Sequence, residues 1–177
     1  MTVLVMFFVI IASAVVQIAT PGFAALAGAN MPLLLGVVLY YALTRRRGAV
    51  LLAAMLAGFV QDSLSPVPFG YSALCFLVAG LLANRFRDEV FSESFFTSAV
   101  FGAAAAAGVT LVMGLLLLRE GLIADSPGHI LLKSAGSALL GAVFAPVVFW
   151  IARGLDRMVG NMPARQESFA DEEVLYI

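Results

Sequence analysis

Charge is scarce in this chain. Asp, Glu, Lys and Arg make up 12% of its 177 residues, against about a quarter in an ordinary soluble domain, and none occurs before Arg45. With 62% hydrophobic residues and a mean hydropathy of +1.03, too little polar surface remains to cover a water-facing globule. The bilayer is the natural solvent. A net charge of −1 excludes the basic field that nucleic acid would require. The lone cysteine, Cys75, has no partner for an intrachain disulfide or a zinc cluster, and in LCFLVAG it reads as a small packing residue. His129, also alone, reads as a surface or interface residue. No G-x-S-x-G, H-E-x-x-H or phosphate-cradling glycine loop occurs, and the spans hold essentially no mid-membrane ionisable residue of the kind an ion carrier uses. The expectation is a protein without catalytic, metal or cofactor-binding residues.

What the sequence does have is long apolar runs. A span needs about 20 such residues, and the runs divide into six, at roughly 1–19, 31–44, 46–62, 66–84, 95–118 and 130–152. The fold class expected is therefore an all-α integral membrane protein with one six-span domain over residues 1–157. An acidic, polar tail over 158–177 is expected to be loose. The uncharged N-terminal stretch reaches ALAGA, residues 25–29, but lacks the basic segment of a signal peptide, so 1–19 reads as a retained first span. Pro32 falls in the first turn of the second helix, where its missing N–H does no harm. Pro146 is expected to kink the sixth.

With the N-terminus inside, the inner segments hold Arg45, Arg46, Arg47, Arg85, Arg87, Arg153, Arg157 and Arg165, while the outer side holds Arg119 and Lys133. That asymmetry predicts both termini in the cytoplasm and Asp62 at the outer face. Tyr40, Tyr41, Tyr71, Phe95 and Trp150 lie near helix ends, the headgroup level that amphipathic rings favour.

The most unusual stretch is GFVQDSLSPVPFGYSAL, residues 58–74. Asp62 is the single charge between Gly48 and Asn84. A turn over 62–65 makes Ser65 an N-cap and Pro66 the first residue of helix four, with Pro68 still in the first turn, where no intrahelical bond is lost. Asp62 then sits at a helix C-terminus, which disfavours an anion. Two uses can offset this: accepting N–H bonds from the start of helix four, or meeting a cation or donor on a partner protein. Helix five is rich in small residues, with Gly102 and Ala106, and Ala104 and Gly108, at the spacing that lets backbones approach. Helix six repeats the pattern with Ser134, Ser137, Ala138, Gly141 and Ala142. Packing within the bundle is the first use expected of these faces, and a partner's helix the second.

The run MPLLLGVVLYYAL, followed by GFVQDSLSPVPFGYSALCFLVAGLLANRFR, resembles the rod shape-determining protein MreD family, small bacterial inner-membrane proteins. The likeness covers residues 31–88 and rests on Pro32, Gly58, Asp62, Pro68 and Gly70, with Arg85 and Arg87 closing the run. Members often carry an acidic residue after the first proline, where this chain has Leu33 and Leu34. The resemblance implies a multi-pass protein of the bacterial inner membrane that scaffolds the cell-elongation complex without catalysing a reaction. Its implied partners are an MreC-like single-span protein, the actin-like MreB filament, and the peptidoglycan polymerase with its transpeptidase. It also implies a fold similar to the six-helix substrate-binding components of energy-coupling-factor vitamin transporters, and hence substrate binding as the alternative function. Structural and interface candidates are Pro32, Gly58, Asp62, Pro68, Gly70, Gly102, Ala106 and Gly108.

Overall fold

A computed structural model describes residues 2–19, 32–65, 68–86, 95–121, 126–158 and 160. Among them every regular element is a helix: α1 (Thr2–Ala19), α2 (Leu33–Thr44), α3 (Arg47–Leu64), α4 (Tyr71–Arg85), α5 (Phe95–Arg119) and α6 (Pro127–Met158). By length and composition α3, α5 and α6 are long and apolar enough to cross a membrane; α1 (from Val3), α2 and α4 are apolar and shorter. Of the expected tail, only Met158 and Gly160 lie among the described residues, and Pro66, Arg87 and Arg165 fall outside them.

The centre of the bundle is α2. Every residue from Leu33 to Leu43 is buried, because α2 is in contact with each of the other five helices. The other helices each turn one side inward and leave the rest apolar and exposed. On α1, Met6 and Ile10 face the core while Leu4, Phe7 and Phe8 do not. On a water-soluble protein such outer faces would be an aggregation hazard; in lipid they are the expected finish.

Two helices differ from the sequence reading, and the late start of one and the early start of the other have physical causes. Helix four, expected at 66–84, begins at Tyr71 and runs to Arg85. Pro68 lies outside the helix, in the turn that precedes it. Gly70, at the N-cap, is left-handed with φ 101°, a conformation glycine adopts without steric penalty. The expected N-cap, Ser65, is instead the C-cap of α3. The serine–proline start is found at the other such pair. Ser126 precedes α6, its Oγ accepting from the His129 N–H at 3.3 Å, with Pro127 as the first helical residue. That helix therefore exceeds the expected 130–152 at both ends, and it runs on through the buried Pro146. The other helices begin and end within two residues of the corresponding apolar runs.

The aromatic expectation is corrected as well. Phe95 and Trp150 are exposed, but Tyr40 and Tyr41 are buried in the core. Their rings meet edge to face at 5.2 Å, and Tyr40 meets Phe149 likewise at 5.5 Å.

Candidate functional site

Four of the candidate residues converge on the α3–α4 hairpin. Asp62 lies in the last turn of α3, one turn before the chain reverses. Its carboxylate reaches across to α4, Oδ2 accepting from the Gly70 N–H at 2.7 Å and Oδ1 from the Ser72 N–H at 2.9 Å. These are two of the donors that a helix start leaves without intrahelical partners. Normally a Ser, Thr, Asp or Asn at the N-cap would take one of them. Gly70 has no side chain to do so, and Asp62 supplies the cap from the preceding helix. The positive end of α4 thereby offsets the unfavourable end of α3. Asp62 is 4% exposed, and both its oxygens are engaged within the chain. Outside this lock, Phe59 and Phe69 stack at 5.3 Å, and the exposed Pro68 sits in the turn, its carbonyl accepting from the Tyr71 N–H. Gln61 links the hairpin to α1 by accepting from Gln17 at 2.8 Å.

Asp62→Ala strips the acceptors from one buried and one half-buried backbone donor. It is expected to destabilise the detergent-solubilised protein by about 2–4 kcal/mol, with Asp62→Asn, which keeps one acceptor, losing about half as much. Thermal unfolding of the two variants checks the order. Equal melting temperatures for all three proteins would mean that the hairpin does not depend on this carboxylate.

One turn inside the lock, the α3 and α4 backbones touch. A Cβ on Gly58 would stand 2.7 Å from the Ala73 nitrogen, so no larger residue fits without separating the helices. A second close seam joins α5 to α6. A Cβ on Gly102 would meet the Gly141 carbonyl oxygen at 2.5 Å, and one on Gly141 would meet Ala106 Cβ at 2.7 Å. The Ser134 hydroxyl donates across the same seam to the Ala107 carbonyl at 2.9 Å. Gly102 and Ala106 are thus engaged inside the bundle. Pro32 stands apart from both groups, just ahead of α2, its carbonyl accepting from the Gly36 N–H at 3.0 Å. Around Gly108 the position of an added Cβ is open.

That open position faces a groove of about 460 Å³ between α4 and α5, with Leu39 of α2 among its walls. It runs from Phe86 and Phe101, whose rings lie 6.5 Å apart, to Leu74 and Leu116. Its walls are apolar throughout, and Cys75 is one of them.

Sequence reasoning missed a buried polar cluster at the opposite end from Asp62. Arg45 donates to Asp156 Oδ2 at 3.2 Å, and the Tyr40 hydroxyl donates to the same oxygen at 2.9 Å. Asn84 Nδ2 donates to the carbonyls of Ala42 and Arg45, at 2.6 and 3.2 Å. The first arginine of the triplet is therefore turned inward, while Arg46 and Arg47 are exposed. One signal was available: an acidic residue placed between Arg153 and Arg157. Nothing in the spacing links it to an arginine 111 residues earlier. Among the described residues, no three His, Cys, Asp or Glu side chains gather as a metal-ligand set.

Neither the curated proteins nor the solved structures contain a significant match to the chain. The family model for the rod shape-determining protein MreD matches residues 1–158, reaching well beyond the segment whose motifs suggested it. It takes in the hairpin lock, the α5–α6 seam and the Arg45–Asp156 cluster together, and the chain belongs to the MreD family of cell-shape-determining membrane proteins.

Proposed function

We propose that the protein is a non-catalytic scaffold subunit of the bacterial cell-elongation complex. In this reading all six helices lie in the inner membrane with both termini in the cytoplasm, and the bundle grips the transmembrane helix of an MreC-type partner. Through that contact it links the cytoplasmic MreB filament to the peptidoglycan polymerase and transpeptidase. The observation that carries the proposal is the family match along residues 1–158. The chemistry of the bundle agrees with it. The buried carboxylates of Asp62 and Asp156 bond within the chain, so its outward character is that of apolar helix faces. A vitamin-binding role would need polar groups converging on a cavity, whereas the groove between α4 and α5 is walled by apolar side chains.

Affinity purification from membranes of a rod-shaped host should recover an MreC-type single-span protein, and depletion should round the cells. Recovery of no elongation protein, together with unchanged cell shape, would overturn the scaffold reading. The orientation is checked separately. A cysteine at Arg47, in a Cys75→Ser background, should react with a membrane-impermeant thiol reagent only from the cytoplasmic side.

A further inference from the structure

We infer that the cluster of Arg45, Tyr40 and Asp156 fixes the alignment of the α5–α6 pair against the rest of the bundle. Its replacement by apolar side chains leaves a folded protein in more than one alignment. This goes beyond the scaffold reading and does not depend on it.

The pair is locked within itself, while its placement on the other helices is less constrained. The backbones of α5 and α6 come together at Gly102 and Gly141, where a Cβ on Gly102 would meet the Gly141 carbonyl oxygen at 2.5 Å, so the two helices move together. On another side α5 faces α4 across the apolar groove. α6 rests on α2, whose residues Leu33–Leu43 are all buried and, apart from two tyrosine hydroxyls, apolar. The apolar contact there interlocks little. A Cβ on Gly36 would stand 3.4 Å from Val148 Cβ, an ordinary packing distance. The Tyr40 and Phe149 rings meet edge to face, an arrangement that tolerates centroid separations of about 4.5–7 Å. Between helices in lipid there is no hydrophobic drive to choose one alignment over the next.

Directional bonds do choose. Asp156 Oδ2 accepts from the Tyr40 hydroxyl at 2.9 Å and from Arg45 at 3.2 Å, two donors near the end of α2. That end is itself tied to α4. Asn84 Nδ2 donates to the carbonyls of Ala42 and Arg45, in the region where a helix C-terminus leaves carbonyls without intrahelical partners. Asp156, Arg45 and Asn84 are all buried, and together they join α6, α2 and α4 in one cross-section. Sliding α6 along α2 by one turn moves it about 5.4 Å, beyond the reach of these hydrogen bonds. It also separates a buried carboxylate from a buried guanidinium, which is strongly destabilising. An apolar pair of similar volume can retain the stability, but it has no directional bond with which to reject the shifted alignment.

Disulfide trapping in a Cys75→Ser background reads the alignment directly. Gly36→Cys combined with Val148→Cys brings two Cβ atoms to a separation suited to a disulfide. Gly36→Cys combined with Phe144→Cys, or with Ala152→Cys, samples the alignments one turn away. With the cluster intact, oxidation in native membranes should join position 36 to 148 at least about tenfold faster than to 144 or 152. In the added Arg45→Met, Asp156→Leu background, one of the shifted pairs should rise to within about threefold of 36–148, while the melting temperature stays close to that of the unaltered protein. Undiminished selectivity in that background would overturn the proposal, because apolar packing alone would then set the alignment. Loss of the double variant from the folded fraction would overturn it equally, because the cluster would then be required for folding itself.

Discussion

Asp156→Ala is expected to destabilise the protein by about 3–5 kcal/mol, because it removes the carboxylate bonded to the buried Arg45 guanidinium. Arg45 and Asp156 have side chains 10% and 5% exposed and stand 3.2 Å apart, so water cannot readily replace the lost carboxylate. Tyr40→Phe removes only a neutral donor from the same oxygen and should cost about 1 kcal/mol. The informative variant is the double replacement Arg45→Met with Asp156→Leu. An apolar pair of similar volume is often as stable as the ion pair it replaces, so the double variant should recover most of the loss. Chemical or thermal unfolding in one detergent, arranged as a double-mutant cycle, measures the coupling. A loss below about 1 kcal/mol for Asp156→Ala would place the pair in the class of solvated surface salt bridges.

The second large effect belongs to the close seams. Gly102→Leu drives a side chain into the Gly141 carbonyl and Ala145 on α6, and Gly58→Leu drives one into the backbone of α4 at Ala73. Backbone cannot move aside as a flexible side chain can, so each helix pair must separate. Each variant is expected to lose at least about 4 kcal/mol, the range reached only by severe core disruption, and to be lost from the folded fraction in fluorescence-detection size-exclusion chromatography. Gly108→Leu changes the same residue type on the same helix as Gly102. With open space around it, it should stay within about 0.5 kcal/mol of the unaltered protein. Similar losses at 102 and 108 would show that helix propensity, and not interhelical contact, sets the effect.

The helices were legible because each apolar run is bounded by something chemically distinct: Thr20-Pro21-Gly22 after the first, the arginine triplet after the second, the NRFRDE cluster after the fourth. The start of α4 was not, because two serine–proline pairs look alike in one dimension. What distinguishes them is Pro68 and the left-handed Gly70, which delay the helix, and a cap supplied from outside it. The idea that Asp62 bonds to the next helix was available from its position beside a turn. The identity of its partners, Gly70 and Ser72, depended on where that helix begins. The burial of Tyr40 and Arg45 was not legible for a different reason. Composition puts aromatic and basic residues at the membrane edge on average, while the inward turn of these two follows from contact with α6, more than a hundred residues away. The small-residue spacing at Gly102, Ala106 and Gly108 looks uniform in sequence, yet the structure divides it between a seam and an open groove.

Because α2 is enclosed on every side, its sequence has no neutral face on which to drift. On α5 only Ser98, Gly102 and Ala106 are buried, so most of its circumference can exchange one apolar residue for another while lipid accommodates the difference. Along Leu33–Leu43 any exchange must be answered by a neighbouring helix. Tolerance to substitution is therefore expected to be lowest in the shortest helix.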